Sequence, residues 1–185
     1  MPFAKPPVGA LRWAPPQAIS WDGDRAATEF GPPCLQPTPA DGRPNGGGVS
    51  GASSEDCLYL NIWAPAKARK APVMLWLYGG GGTMGASSVS TYDGSAFARD
   101  GVVLVTANYR HGVLAGFAHP AIEAANGTSD ANFHLLDAIA ALQWIRDNAT
   151  ALGGDPQNIT LFGESAGATI VANLVTSPLA KGLFQ

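Results

Sequence analysis

Long apolar runs and clusters of basic residues are both missing from this chain. No stretch approaches the roughly 20 consecutive apolar residues that a membrane-spanning helix needs. Charged residues make up 14% of the 185, with 11 Lys+Arg against 14 Asp+Glu and a formal net charge of −3. Apart from Lys67-Ala-Arg-Lys70, which reads as a solvated linker, the basic residues are scattered. That leaves no electrostatic footprint for nucleic acid or an anionic membrane. Met1-Pro-Phe-Ala-Lys-Pro-Pro lacks the pattern of a signal peptide. With 46% hydrophobic residues there is material for one sizeable core and too little charge for disorder. Glycine (23) and proline (15) are abundant but fall between periodic segments without a fixed repeat, as in a loop-rich globular domain or part of one.

Residues 1 to about 50 are dense in Pro and Gly, with aromatic anchors at Phe3, Trp13, Trp21 and Phe30. They read as irregular backbone pinned to a core. Cys34 and Cys57, the only cysteines, flank residues 41–54, a run of turn formers that cannot order itself. A disulfide would close that loop and contribute roughly 3 kcal/mol; two unpaired buried thiols is the other reading. An oxidised pair suits a secreted or periplasmic setting. Residues 57–63 alternate until Ala-Pro-Ala breaks them, which predicts a strand. Residues 72–78 and 102–108 are continuous apolar runs, as in strands buried on both faces of a parallel sheet. From Asp130 to Leu152 the positions Leu135, Ile139, Leu142 and Ile145, flanked by Leu136, Ala140 and Trp144, follow helical spacing until Gly153-Gly154 and Pro156. This predicts an amphipathic crossover helix leading into a strand at 159–162. The succession of strands and helices is that of right-handed βαβ units, and the class is α/β.

Two stretches carry chemistry. Gly163-Glu164-Ser165-Ala166-Gly167 is the only Gly-x-Ser-x-Gly. It stands between the 159–162 strand and a small-residue run suited to a helix start, the context of a nucleophile elbow. Its glycines let the backbone fold back so tightly that the serine is strained with Oγ exposed, while the helix N-terminus offers free N–H groups to an oxyanion. A surface serine in a glycine turn is the plainer alternative, and the flanking strand and helix weigh against it. The second stretch, Tyr78-Gly79-Gly80-Gly81-Gly82-Thr83-Met84-Gly85, follows the 72–77 strand and leaves backbone N–H groups uncovered. Its Gly80-x-Gly82-x-x-Gly85 spacing matches a dinucleotide fingerprint, which requires a helix to open at once and an acid ending the next strand. Residues 86–92 are serine-rich without apolar periodicity, and no such acid follows. An oxyanion hole beside the elbow serine fits both motifs.

Phe3-Ala-Lys-Pro-Pro-Val-Gly-Ala-Leu-Arg-Trp, Ser54-Glu-Asp-Cys-Leu-Tyr-Leu-Asn61, Tyr78-Gly-Gly-Gly81, Asn108-Tyr-Arg110, Leu135-Leu-Asp137, Gly153-Gly-Asp-Pro156 and the elbow span nearly all of the chain. In these runs it resembles the type-B carboxylesterases, the branch of the α/β-hydrolases that also holds the cholinesterases. The resemblance implies an α/β-hydrolase fold of which residues 1–185 are a single, incomplete domain, truncated after the elbow strand and helix. It implies Ser165 as nucleophile, with Gly80, Gly81 and the Ala166 amide as oxyanion hole and Glu164 beside the substrate cleft. It also implies a Cys34–Cys57 disulfide and buried pairs Arg12–Glu55 and Arg110–Asp137. The reaction implied is hydrolysis of a small-molecule carboxylic ester through an acyl-enzyme, without metal or cofactor.

The chain departs from the family in places. Tyr78 stands where His is commoner, Ala131 where Gly is usual, and His111-Gly-Val-Leu-Ala-Gly-Phe117 shuffles the usual order. Gly82 occupies a position that usually carries a bulky side chain, which opens the substrate cleft beside the oxyanion loop. In α/β-hydrolases the acid and the His follow the Ser, and only 18 residues remain after Gly167. His111, His119 and His134 precede the elbow, on a loop, before a proline and at a helix start, and none reads as the base. The expectation is an N-terminal part of a longer enzyme, inactive alone. A non-catalytic interaction domain, like the adhesion proteins that keep this fold and lose the serine, is the competing class, and Ser165 counts against it.

Overall fold

The computed structural model describes residues 1–129 and 131–185. The first 59 residues run as irregular backbone with one 3₁₀ turn at Gly9–Leu11. They are pinned by Phe3 and Ala4 in the core, by a Pro2–Tyr59 bridge and by a disulfide between the buried Cys34 and Cys57. The free-thiol reading is thereby excluded.

Strand β1 (Leu60–Trp63) is followed by β2 (Ala71–Leu77), helix α1 (Ser95–Arg99), β3 (Val103–Ala107), the short helices α2 (Gly112–Ala115) and α3 (Pro120–Asn126), the long helix α4 (Phe133–Asn148), β4 (Gly154–Gly163) and α5 (Ala166–Thr176). One sheet has the order β1-β3-β2-β4. β2 runs parallel to both neighbours, with Leu75 opposite Val105 on one side and Leu161 on the other. β3 is buried at every residue, as its unbroken apolar run predicts. β2 is buried only at Ala71, Val73, Leu75 and Leu77, while Met74 and Trp76 on its other face stay half-buried. The parallel pairing expected of residues 72–78 and 102–108 is present, while β1, for which no direction was read, lies antiparallel to β3 at the sheet edge, with Ile62 opposite Val105. A parallel crossover needs a dozen or more residues, and the link from Trp63 to Ala71 is too short for one.

Helix α4 connects β3 to β4. Its expected start at Asp130 lies outside the described residues, and its end opens through Ala149 into Gly153 at φ +79. The buried stripe is Phe133, Asp137, Ala138, Ile139, Ala141, Leu142 and Ile145, with the expected Leu135 only half-buried. The helix is therefore not simply amphipathic, because a carboxylate sits on its core side and half-buried Leu135, Leu136, Ala140 and Trp144 widen the apolar surface. Leu142 and Ile145 pack with Ile170 and Leu174 of α5 against Val73, Leu75, Val105 and Ile159 of the sheet. Each such fully buried aliphatic side chain stabilises the fold by about 1.5–3 kcal/mol.

This topology positions the site. β2, β3 and β4 share one direction, with Trp76 level with Thr106 and Leu77 level with Gly163. The glycine loop, the loop after β3 and the elbow therefore open at one edge, the carboxyl end of parallel strands where α/β folds place ligands. No helix among the described residues is long and apolar enough to cross a membrane.

Candidate active site

Past Gly163 the chain turns through Glu164 and Ser165 into α5, and Ser165 is held at φ +52, ψ −119. Few non-glycine residues tolerate such a backbone, and the strain is of order 1–3 kcal/mol. Packing imposes it. A Cβ on Gly167 would overlap the Leu77 and Tyr78 carbonyls, so only glycine lets α5 start this close to β2. The Glu164 carbonyl accepts from the N–H groups of Gly167 and Ala168 at 2.9 and 3.3 Å, closing the turn. Ser165 is exposed, and its Oγ has no hydrogen-bond partner among the described residues. Ala166 opens α5, where an N–H has no place in the helical ladder.

Facing this turn, the chain after β2 reverses over Gly80, Gly81 and Gly82 at φ +113, +64 and +70. The N–H groups of Thr83 and Met84 return to the Gly80 carbonyl at 3.1 and 3.2 Å. Those of Gly80 and Gly81 are left without an acceptor among the described residues. The loop is braced where Gly112 N donates to Gly82 O and Gly85 N to Gln36 Oε1, both at 2.8 Å. A Cβ at Gly79 would lie 3.0 Å from Ser165 Cβ and would overlap the Glu164 carboxylate, so loop and elbow are in direct apposition. Gly81, Gly82, Ser165 and Ala166 line one open cleft of about 640 Å³, walled by Tyr109, Ala115, His134, Thr169 and Ile170. A small-molecule site is typically about 300–1,000 Å³.

Buried polar contacts hold this edge from behind. Tyr78 and Tyr109 stack with ring centroids 4.6 Å apart, and the Tyr109 hydroxyl donates to the Tyr78 carbonyl at 2.5 Å. Burial raises both phenols well above their ordinary range, so each stays a neutral hydroxyl. His111 Nε2 lies 3.0 Å from the Tyr78 hydroxyl. Burial first, then the neighbouring His134, lowers the His111 pKa to about 4, so its imidazole is neutral near pH 7. Arg110 makes a two-pronged pair with Asp137 at 2.7 and 2.8 Å, and a third N–H reaches the Ala14 carbonyl at 3.0 Å. This pair joins the loop after β3 to α4 and to the N-terminal segment.

Of the residues singled out in the sequence, Ser165, Ala166, Gly81 and Gly82 meet in the cleft. Gly80 belongs to the same loop without lining the cleft, and Glu164 stands beside it, exposed, with its carboxylate against Gly79. His111 is buried against Tyr78, and His119 caps α3 by accepting from Ala121 N at 3.2 Å. The Arg110–Asp137 pair is buried as expected. Arg12–Glu55 forms at 2.7 Å but corrects the expectation of burial, since the Arg12 side chain is 42% exposed at the end of a surface turn. The sequence reading missed the cleft position of His134, for which the signal was its spacing three residues before Asp137. Trp13, expected as an anchor of the N-terminal segment, is held at φ +50 with its indole N–H donating to the Val113 carbonyl at 2.9 Å, which straps that segment to α2 beside the cleft. No group of three metal-ligating side chains converges among the described residues.

An exposed serine on a strand-to-helix turn, at the carboxyl edge of a mostly parallel sheet and opposite a glycine loop, defines the α/β-hydrolase class. Within it the chain belongs to the carboxylesterase family, whose profile matches residues 1–185. It is 49% identical over 190 residues to fumonisin B1 esterase of Sphingopyxis macrogoltabida, with 100% of this chain and 34% of that protein covered. To para-nitrobenzyl esterase of Bacillus subtilis it is 45% identical over 188 residues, with 100% and 37% covered. A solved PNB esterase superimposes with a TM-score of 0.88 at 44% identity, 100% of this chain against 38% of that one. A Geobacillus stearothermophilus carboxylesterase gives 0.85 at 45%, 100% against 37%. The chain thus spans about a third of the length of the curated relatives it matches.

Proposed function

We propose that residues 1–185 are the nucleophile-bearing part of a single serine carboxylesterase domain, with the triad acid and histidine supplied by chain outside them. Ser165 Oγ attacks the carbonyl of a small-molecule carboxylic ester, and the N–H groups of Gly80, Gly81 and Ala166 stabilise the oxyanion. The alcohol departs with a proton delivered by that histidine, and water then hydrolyses the acyl-enzyme. Glu164 and Gly82 border the bound substrate. The observation that carries this reading is the strained Ser165, its Oγ without a partner among the described residues, set directly against a glycine loop whose Gly80 and Gly81 amides are free. The coverage of only about a third of each esterase relative supports placing the remaining groups elsewhere.

The test is covalent labelling of the complete protein with a fluorophosphonate, followed by peptide mapping. Label on Ser165, lost together with p-nitrophenyl ester turnover in Ser165→Ala, is the expected result. Turnover that survives Ser165→Ala, or a complete protein that neither labels nor turns over, overturns the reading.

A further inference from the structure

The cleft's polar side chains are almost all committed to the protein itself. The Tyr109 hydroxyl is spent on the Tyr78 carbonyl, Arg110 on Asp137 and Ala14, and the Thr169 hydroxyl on the Ser165 carbonyl at 3.4 Å. Among the described residues, Ser165 Oγ and Nε2 of His134 are the side-chain ends left there without a hydrogen-bond partner. His134 is half-buried in the first turn of α4, and its Nδ1 lies 3.2 Å from the Ala115 carbonyl. A carbonyl only accepts, so Nδ1 carries the proton and Nε2 is the ring atom left for a ligand. The ring is held from two sides, by the helix and by the Ala115 wall.

We propose that His134 is a substrate-binding residue that hydrogen-bonds a hydroxyl group on the acyl or alcohol portion of the ester. A hydroxyl suits either state of the ring, donating to the Nε2 lone pair of the neutral imidazole or accepting from Nε2–H of the cation. A carboxylate suits only the cation, and a purely apolar chain leaves Nε2 without a partner. A site built around a hydrogen bond discriminates against the analogue lacking it, because its own polar atom is then buried unpaired. The assignment rests on the esterase reading above, with Ser165 doing the chemistry and His134 selecting the substrate.

The experiment compares kcat/KM within matched pairs in the complete protein: p-nitrophenyl 3-hydroxybutyrate against p-nitrophenyl butyrate, and glyceryl 1-monobutyrate against propyl butyrate. In at least one pair the wild-type preference for the hydroxylated ester should fall roughly tenfold in His134→Leu. His134→Gln, which keeps a polar end, should retain most of it. Each ratio is taken within one variant, so a partly unfolded preparation scales both members alike. Unchanged ratios in both pairs, alongside intact Ser165-dependent turnover, overturn the His134 assignment alone. A ratio that moves only for p-nitrophenyl hemisuccinate, a carboxylate, also overturns it. A wild-type protein without Ser165-dependent turnover overturns the esterase reading and this one together.

Discussion

The Tyr78 hydroxyl and His111 Nε2 meet at 3.0 Å inside the protein, joining the first residue of the glycine loop to the loop that follows β3. Both side chains are buried, and His111 Nδ1 has no partner among the described residues. The folded protein therefore resists protonating this ring, and its pKa of about 4 lies below the ordinary 6.5. Between those values the unfolded chain binds the proton and the native one does not, so stability falls as pH drops from about 6.5 to about 4 and levels off below. The shift corresponds to about 3 kcal/mol. In the complete protein, the stability difference between wild type and His111→Gln should shrink by up to that amount over this range. Urea unfolding at several pH values measures it, and a difference that stays constant from pH 7 to 4.5 would exclude the ring as the source.

Arg110 and Asp137 are 3% and 0% exposed and form a buried ion pair at 2.7 Å. Removing one member leaves a buried charge without its counter-ion, which typically costs about 3–5 kcal/mol, whereas removing both with apolar replacements costs far less. Asp137→Leu should accordingly be more damaging than the Arg110→Met/Asp137→Leu double variant, read as melting temperatures of the complete protein. Additive losses would mean that the pair matters through packing and not through charge.

Local pattern carried much of this molecule, and long-range pairing the rest. The Ser165 turn and the glycine loop were legible because small residues at fixed offsets have one common use there: a Cβ at Gly167 or Gly79 collides with what faces it. The unbroken apolar run of β3 announced burial on both faces. The direction of β1 was not legible, because alternation at residues 57–63 says nothing about which neighbour the strand takes or which way it runs. By helical pattern alone Asp137 is a polar break in an apolar helix; its partner Arg110, 27 residues earlier, was legible only through the family resemblance. His134 was hidden for a related reason, since its place on the cleft wall depends on where that pair docks α4.

Gly82 lines the cleft at φ +70, and a Cβ added there meets nothing within 4 Å. A side chain at this position would cost roughly 1–2 kcal/mol of backbone strain and would project into open space beside Ser165. Gly82→Phe should therefore lower kcat/KM for esters of branched acids or alcohols much more than for small linear ones. Matched p-nitrophenyl pivalate and acetate assays on the complete protein decide it, with equal losses on both showing that Gly82 serves backbone conformation only.

Residues 1–185 expressed alone should be a poor enzyme and a poorly behaved protein. β4 is the outer strand of the sheet, carrying Leu161 and Phe162 only half-buried; Gln185 covers the Ile159 and Gln157 carbonyls, but no second strand pairs with its outer edge among the described residues, which leaves that edge a site for pairing with other chains. Aggregation on concentration is the expected behaviour, measured by light scattering. None of the three histidines hydrogen-bonds Ser165: His111 is held by Tyr78, His119 by the start of α3 and His134 by Ala115. A serine without a base keeps only the contribution of its oxyanion hole and binding site, roughly 10³–10⁴ over water in dissected triad enzymes. Ser165-dependent p-nitrophenyl ester turnover by the short chain should thus fall orders of magnitude below that of the complete protein assayed beside it. Comparable turnover, lost in Ser165→Ala, would show that a base lies within residues 1–185 and would make His134, the one histidine on the cleft wall, the first to replace.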